Sequence, residues 1–244
     1  MRRKHLISGL FFAAALVTAI SWWNRNTFAD VLPWDPALAE PPRQVAVERP
    51  AFLAQANEVD YRVQPLYAYE LTGLVVSFKR FRPGIGLHER WNDYINVADV
   101  CLVWGHNATE IDLNDFEFWN LEFTCNYRTT DRTAWEQFDP TALSNNHLLT
   151  TDPRVQSIIN DLRVGDIVHL RGHLVEYGQP GGYVRSTSTT RTDRGNGACE
   201  TLHLDHAQIL ASMDNDWRRL FWVGLFGLVF TVAWWFLTPH HHLR

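Results

Sequence analysis

The chain has 244 residues, room for one domain of ordinary size with additional segments. Its formal net charge is −5, so the basic excess that supplies most of a nucleic-acid binder's affinity is missing, and no nucleic acid is expected as a partner. Hydrophobic residues make up 46% of the chain, near the globular average, and it is their crowding towards the two ends that marks a membrane protein.

Residues 6–23, LISGLFFAAALVTAISWW, carry no charge. At about 1.5 Å per residue the run spans roughly 27 Å, close to the hydrocarbon thickness of a bilayer. Arg2, Arg3, Lys4 and His5 precede it, so residues 1–5 are expected to stay cytoplasmic. A cleaved signal peptide is the alternative, and it wants small residues right after the apolar run. Trp22-Trp23-Asn24-Arg25 follows instead, and the A-x-A match at Ala37-Leu38-Ala39 lies well beyond, which favours an uncleaved anchor.

Residues 24–60 contain Pro33, Pro36, Pro41, Pro42 and Pro50 with little periodicity, and read as a partly extended linker. Within it, residues 45–53 are a candidate docking strand or short helix. The domain is expected over 61–212. Residues 67–80, YAYELTGLVVSFKR, are rich in β-branched and aromatic side chains and break at Pro83-Gly84, which predicts a strand. The short apolar run 97–105, VADVCLVWG, predicts a buried strand. Residues 116–127, FEFWNLEFTCNY, alternate, which predicts a third strand with Glu117, Trp119, Leu121, Phe123 and Cys125 facing inward. A loop is expected over 128–146. Asp152-Pro153 then opens a helix as N-cap and first helical residue, with Val155, Ile158, Ile159 and Leu162 as its apolar stripe. Strands are expected from Asp166, with a bend or bulge at Gly172, briefly at Tyr183-Val184-Arg185, and last over 199–210. Gly195-x-Gly197 reads as turn chemistry.

Residues 220–237, LFWVGLFGLVFTVAWWFL, form a second uncharged run, with Gly224 and Gly227 allowing close helix approach. Trp22, Trp23, Trp34, Trp217, Trp222, Trp234 and Trp235 sit at or in the two runs, as expected of membrane interfaces. Two spans put both termini on one side. The expected arrangement is therefore a bacterial inner-membrane protein with a periplasmic central domain and a cytoplasmic tail over 238–244. Arg218 and Arg219, on the outer side of the second span, run against the positive-inside bias. The lipid bilayer is the expected partner, together with other membrane or envelope proteins.

The predicted order of three strands, a helix, then two or three strands is that of an OB-fold. The predicted fold class is thus mainly β with one or two short helices: an OB-like small β-barrel between two transmembrane α-helices. Gly73 and Gly172 fit the bends that closing such a barrel requires. Cys101, Cys125 and Cys199 allow one disulfide and one free thiol in an exported domain, and the pairing stays open.

Three chemistries are open to these residues. Cys199, with Arg185, Arg191 and Arg194 close in sequence, has cations that would favour a thiolate. With His147 as base and Arg191 as oxyanion partner it forms a candidate catalytic trio. A Cys–His–Arg trio on a β-barrel beneath an N-terminal anchor resembles the sortases, membrane-anchored transpeptidases that also carry a Gly-Asp turn, as at Gly165-Asp166, between the His and the Cys. Two features depart from that family: the hydroxyl-rich T-x-T-C pattern before the Cys is absent, and Arg191 precedes Cys199. The plain alternative is a buried structural cysteine. A second chemistry is metal binding by His169, His173 and His203, although their spacing matches no known ligand motif, and no residue is assigned as a metal ligand or to a cofactor. The third is a binding surface for an anionic ligand around the Arg- and Gly-rich loop.

The combination of His88-x-x-Trp91, Asp99 with Trp104-Gly105, Ser144-Asn145-Asn146-His147-Leu148, Gly165-Asp166-x-Val168-x-Leu170-x-Gly172-x-Leu174, and Arg191-x-Asp193-x-Gly195-x-Gly197-Ala198-Cys199-Glu200 resembles a family of bacterial membrane-associated proteins with no assigned activity. The resemblance covers most of the central domain, transfers no mechanism, and implies that these polar motifs act together. It points to His88, Trp91, Asn146, Asp193 and Glu200 as candidate ligand-binding residues. The leading expectation is a membrane-anchored, extracytoplasmic binding module, with the thiol enzyme and the metal-binding domain as alternatives.

Overall fold

The computed structural model describes residues 2–82, 84–193 and 198–238. Pro83, the turn at Gly195 and Gly197, and the tail from residue 239 lie outside the described residues. In chain order the elements are α1 (Arg2–Asn24), β1 (Arg43–Ala46), β2 (Phe52–Ala56), β3 (Val59–Arg80), α2 (Leu87–Arg90), β4 (Asn96–Val103), α3 (His106–Thr109), β5 (Glu117–Leu121), β6 (Thr124–Arg128), α4 (Arg132–Gln137), β7 (Leu143–Leu149), α5 (Pro153–Asp161), β8 (Asp166–Gly178), β9 (Val184–Arg185), β10 (Cys199–Ser212) and α6 (Asp216–Leu237). Two compact units result: residues 1–32 with 213–244, and residues 33–212.

The first unit is an antiparallel pair of α1 and α6, each long and apolar enough to cross a membrane. Asn215 caps α6 and also donates to the carbonyls of Arg25 and Thr27, just past the end of α1. Further along, Gly224 faces Ala14 and Thr18 so closely that a Cβ there would lie 2.5 Å from the Thr18 hydroxyl. The small residues noted in the second apolar run thus sit where the two helices touch.

The second unit is mainly β. Strands β3, β4, β7, β10 and β8 pair in that order, and β8 pairs back with β3. All of these pairings are antiparallel except β7 with β10, which is parallel. The core between them is built from one face of each strand, including Leu71, Val100, Leu102, Leu148, Leu170, Leu202 and Leu204, and from Val155, Ile159 and Leu162 of and just after α5. Asp152 caps α5 by accepting from the Arg154 N–H, as its sequence predicts.

Several expectations need correction. The segment read as a linker is folded from Pro33 onward, because β1 and β2 both pair with β3. Residues 116–127 are not one strand but the start of a hairpin, β5 with β6, turning at Glu122-Phe123. Leu121 is consequently exposed rather than inward-facing. The expected loop 128–146 holds α4 and most of β7. β7 is the true third strand of the core, so the predicted element order was reached through the wrong segment. Its residues, LSNNHLL, are polar on both faces and hide the period-2 signal.

Gly172 shows why one position admits no side chain. A Cβ there would lie 2.0 Å from the His203 carbonyl oxygen, next to the irregularity between Leu204 and His206 in the pairing of β10 with β8. Gly172→Ala is expected to cost about 1–3 kcal/mol through forced backbone displacement, read as a drop of several degrees in the Tm of the full chain.

Candidate functional site

The rungs Asp99–His147 and Cys101–Asn145 between β4 and β7, and Asn145–Cys199 between β7 and β10, fix one face of the sheet. Their neighbours Val100, Leu102, Leu148 and Leu202 point into the core, so Asp99, Cys101, Asn145, His147 and Cys199 share the opposite face. The β5–β6 hairpin covers this face, tied down by the Cys101–Cys125 disulfide. At its turn Phe123 takes a φ of +65°, unusual for a bulky residue. Its carbonyl accepts from Asn145 Nδ2 at 3.1 Å and from the Cys199 thiol at 3.4 Å, which holds the turn against the sheet.

Around the Phe123 ring runs a chain of hydrogen bonds and close polar contacts. His147 Nδ1 lies 2.5 Å from Asp99 Oδ1, with both side chains almost wholly buried. Arg185 Nη2 donates to His147 Nε2 at 2.9 Å. A guanidinium only donates, so Nε2 must be the acceptor and the proton sits on Nδ1, facing Asp99. The Arg185 guanidinium also lies near the Tyr177 hydroxyl, its cross-strand neighbour. Tyr177 donates to Asp93 Oδ2 at 2.9 Å, and His88 Nδ1 lies 2.8 Å from the same oxygen. Burial, and then the Asp93 charge, push the Tyr177 hydroxyl well above its ordinary range, so it remains a donor.

Local structure places each member. A backbone bond from Asp93 N to His88 O at 2.8 Å folds the end of α2 back, so that two residues five apart meet. Tyr61 pins the next stretch by donating to Asn92 O and accepting from Tyr94 N, and burial pushes its hydroxyl up to about 12. Gly178 lets β9 fold tightly on β8, since a Cβ there would lie 2.3 Å from the Tyr183 carbonyl. That turn delivers Arg185 over the Phe123 ring, 4.3 Å from its centre.

A cavity of about 710 Å³ opens beside this chain, lined by Tyr61, Trp91, Asp93, Phe123, Tyr177, Gly178, Gln179, Gly182, Tyr183 and Arg185. Trp91 and Phe123 stack with 5.5 Å between ring centres and 11° between planes. Size and aromatic lining are those of a small-molecule site.

The predicted site residues divide between the two faces of the sheet. His88, Trp91, His147 and Cys199 belong to the covered outer face. The Cys199 thiol, however, is raised above its ordinary pKa chiefly by burial, the opposite of an activated nucleophile, and contacts the Phe123 carbonyl and Asn145. The cation on His147 is Arg185, not Arg191. Arg191 instead lies 5.0 Å over the Trp104 ring and bonds to the Thr141 carbonyl, so the expected Cys–His–Arg trio does not assemble.

Asn146, Glu200, Asp193 and Arg191 form a separate cluster towards the core. Asn146 donates to Ser144 Oγ and the Val100 carbonyl. Asp193 accepts from Ser188 Oγ, five residues earlier. Glu200 is buried there, with Arg191 and Asp193 as its charged neighbours and the Tyr69 hydroxyl close enough to be raised by it.

Among the described residues no three His, Cys, Asp or Glu side chains lie together so as to hold a metal. His173 pairs with Asp205, His169 with Thr72 and Glu70, and His203 packs edge-on against Phe52. The sequence reasoning missed Asp93, Phe123 and Tyr177 as site residues and took Arg185 only as a neighbour of the thiol. The signal available for Asp99 was a lone charge inside an otherwise apolar run. No known family matches the chain, and comparison with curated proteins and with solved structures returns no match.

Burial is the main cause that raises the Glu200 carboxyl from 4.5 to about 8, with Asp193 adding to the rise and Arg191 opposing it. Between those two values the folded protein holds a proton that the unfolded chain has released, so this group's contribution falls as pH rises through the window and levels above it. The Tm of the wild type, relative to Glu200→Gln, is therefore expected to rise as pH is lowered from about 8 towards 4.5. A pH-independent difference would contradict the assignment.

Proposed function

We propose that the protein is a membrane-anchored binding module whose extracytoplasmic domain takes a small ligand in the cavity beside Phe123. The observation that carries this reading is the aromatic cavity of about 710 Å³ backed by a polar chain that runs from His88 to Asp99. His88 and Trp91 of one of the resembled family's motifs and His147 of another meet around the Phe123 ring, with Asp99 of a third bonded to His147, which supports the expectation that those motifs act together.

The antiparallel pairing of α1 with α6 supports a two-span topology with both ends of the chain on one side. Arg2, Arg3 and Lys4 favour the cytoplasm for that side, which leaves the domain in the periplasm of a bacterial cell. The Cys101–Cys125 disulfide fits an oxidising compartment. The pairing of β3, β4, β7, β10 and β8 back to β3, with α5 between the third and fourth of these in sequence, supports the OB-like reading. The buried thiol with neutral partners gives the transpeptidase alternative no comparable support.

The test uses the full chain in lipid nanodiscs and a set of small water-soluble aromatic fragments, read by saturation-transfer NMR. Fragments are expected to bind the wild type, to compete with one another, to be lost in Trp91→Ala and to persist in Cys199→Ala. No fragment binding, or binding indifferent to Trp91, would contradict the proposal.

A further inference from the structure

The polarity of the cavity is lopsided, and this narrows the chemistry of its occupant. Arg185 is the cation on the wall. Its hydrogen bond goes to His147 Nε2, and the Tyr177 hydroxyl beside it is neutral as well. The two carboxylates of the chain are spent elsewhere: Asp99 faces His147, and one oxygen of Asp93 serves both His88 and Tyr177. Among the described residues no carboxylate forms an ion pair with Arg185. A guanidinium has more N–H donors than that bond uses, set in a plane that matches a carboxylate. Phe123 beneath it holds that plane in place.

The rest of the wall selects for a flat apolar body. The stacked rings of Trp91 and Phe123 give one platform, and Tyr61, Tyr177 and Tyr183 surround it. Asp93 sets the limit on charge. Its carboxylate lines the cavity and disfavours a second negative group on the occupant.

We propose, building on the binding-module reading, that the ligand is a small aromatic or cyclic monocarboxylate, with its acid group on Arg185 and its ring between Trp91 and Tyr183. Arg185 then acts as the specificity residue, and His147 as a positioning residue that orients the guanidinium from behind.

The experiment is isothermal titration of the full chain in nanodiscs, with empty nanodiscs as the blank. Three probes share one ring system: 2-naphthoate, its neutral amide 2-naphthamide, and the cation (2-naphthylmethyl)trimethylammonium. The wild type is expected to bind naphthoate about tenfold more tightly than the amide, the size of one charge-assisted hydrogen-bonded contact, and to bind the cation most weakly. Arg185→Gln is expected to remove the preference for the acid while keeping affinity for the amide, and Arg185→Lys to retain part of the preference. The wild-type comparison stands even if a variant fails to fold. Amide or cation bound as tightly as the acid overturns the proposed ligand class and leaves the pocket reading standing. Failure of all three probes to bind, or affinities unchanged in Trp91→Ala, overturns the pocket reading and this proposal with it.

Discussion

A carboxylate–imidazole pair buried on the outer face of a β-sheet is the constraint from which the rest of the domain follows. Asp99 and His147 are 0% and 1% exposed, yet they sit on the side of β4 and β7 that points away from the core. Burying such groups is costly unless they are covered and hydrogen-bonded. The fold meets that demand with pieces added to the five-strand core. The β5–β6 hairpin closes from one side under a disulfide, β9 brings Arg185 onto the remaining imidazole nitrogen, and α2 supplies His88 to a second buried acid. The cavity is the space these covers leave between them.

β7 and β10 serve two polar systems at once, one on each face. Asn145, His147 and Cys199 look outward to the hairpin, while Asn146 and Glu200 look inward to Tyr69, Arg191 and the loop before β10. The parallel pairing of these strands puts both sets side by side. The sequence run Ser144-Asn145-Asn146-His147 is dense in polar residues because neither face of that strand is a simple apolar surface. The consequence is a core that carries a buried acid raised to about 8.

The sequence made some of this legible and hid the rest for identifiable reasons. Uncharged runs of hydrocarbon length revealed both terminal helices, and Asp152-Pro153 revealed α5, because each signal is local. β7 was read as loop because its polar residues are buried by tertiary partners no local pattern shows. Strands β1 and β2 lie among prolines and show only as the candidate docking segment 45–53, for the same reason: their stability comes from pairing with the long β3. For the site, His88, Trp91 and His147 were visible as unusual polar or aromatic residues. Arg185, not Arg191, reaches the imidazole, because the pairing of β9 with β8 that carries it there is a tertiary contact no local pattern shows.

The proton on His147 reports directly on the polar chain around Phe123. Imidazole ¹⁵N chemical shifts of histidine-labelled full-length protein in nanodiscs identify the tautomer of each ring. The chain as described requires His147 to carry its proton on Nδ1, with an unprotonated Nε2 that accepts from Arg185. A His147 ring protonated at Nε2 would show that Arg185 does not donate there, and the cavity wall built on that contact would have to be redrawn.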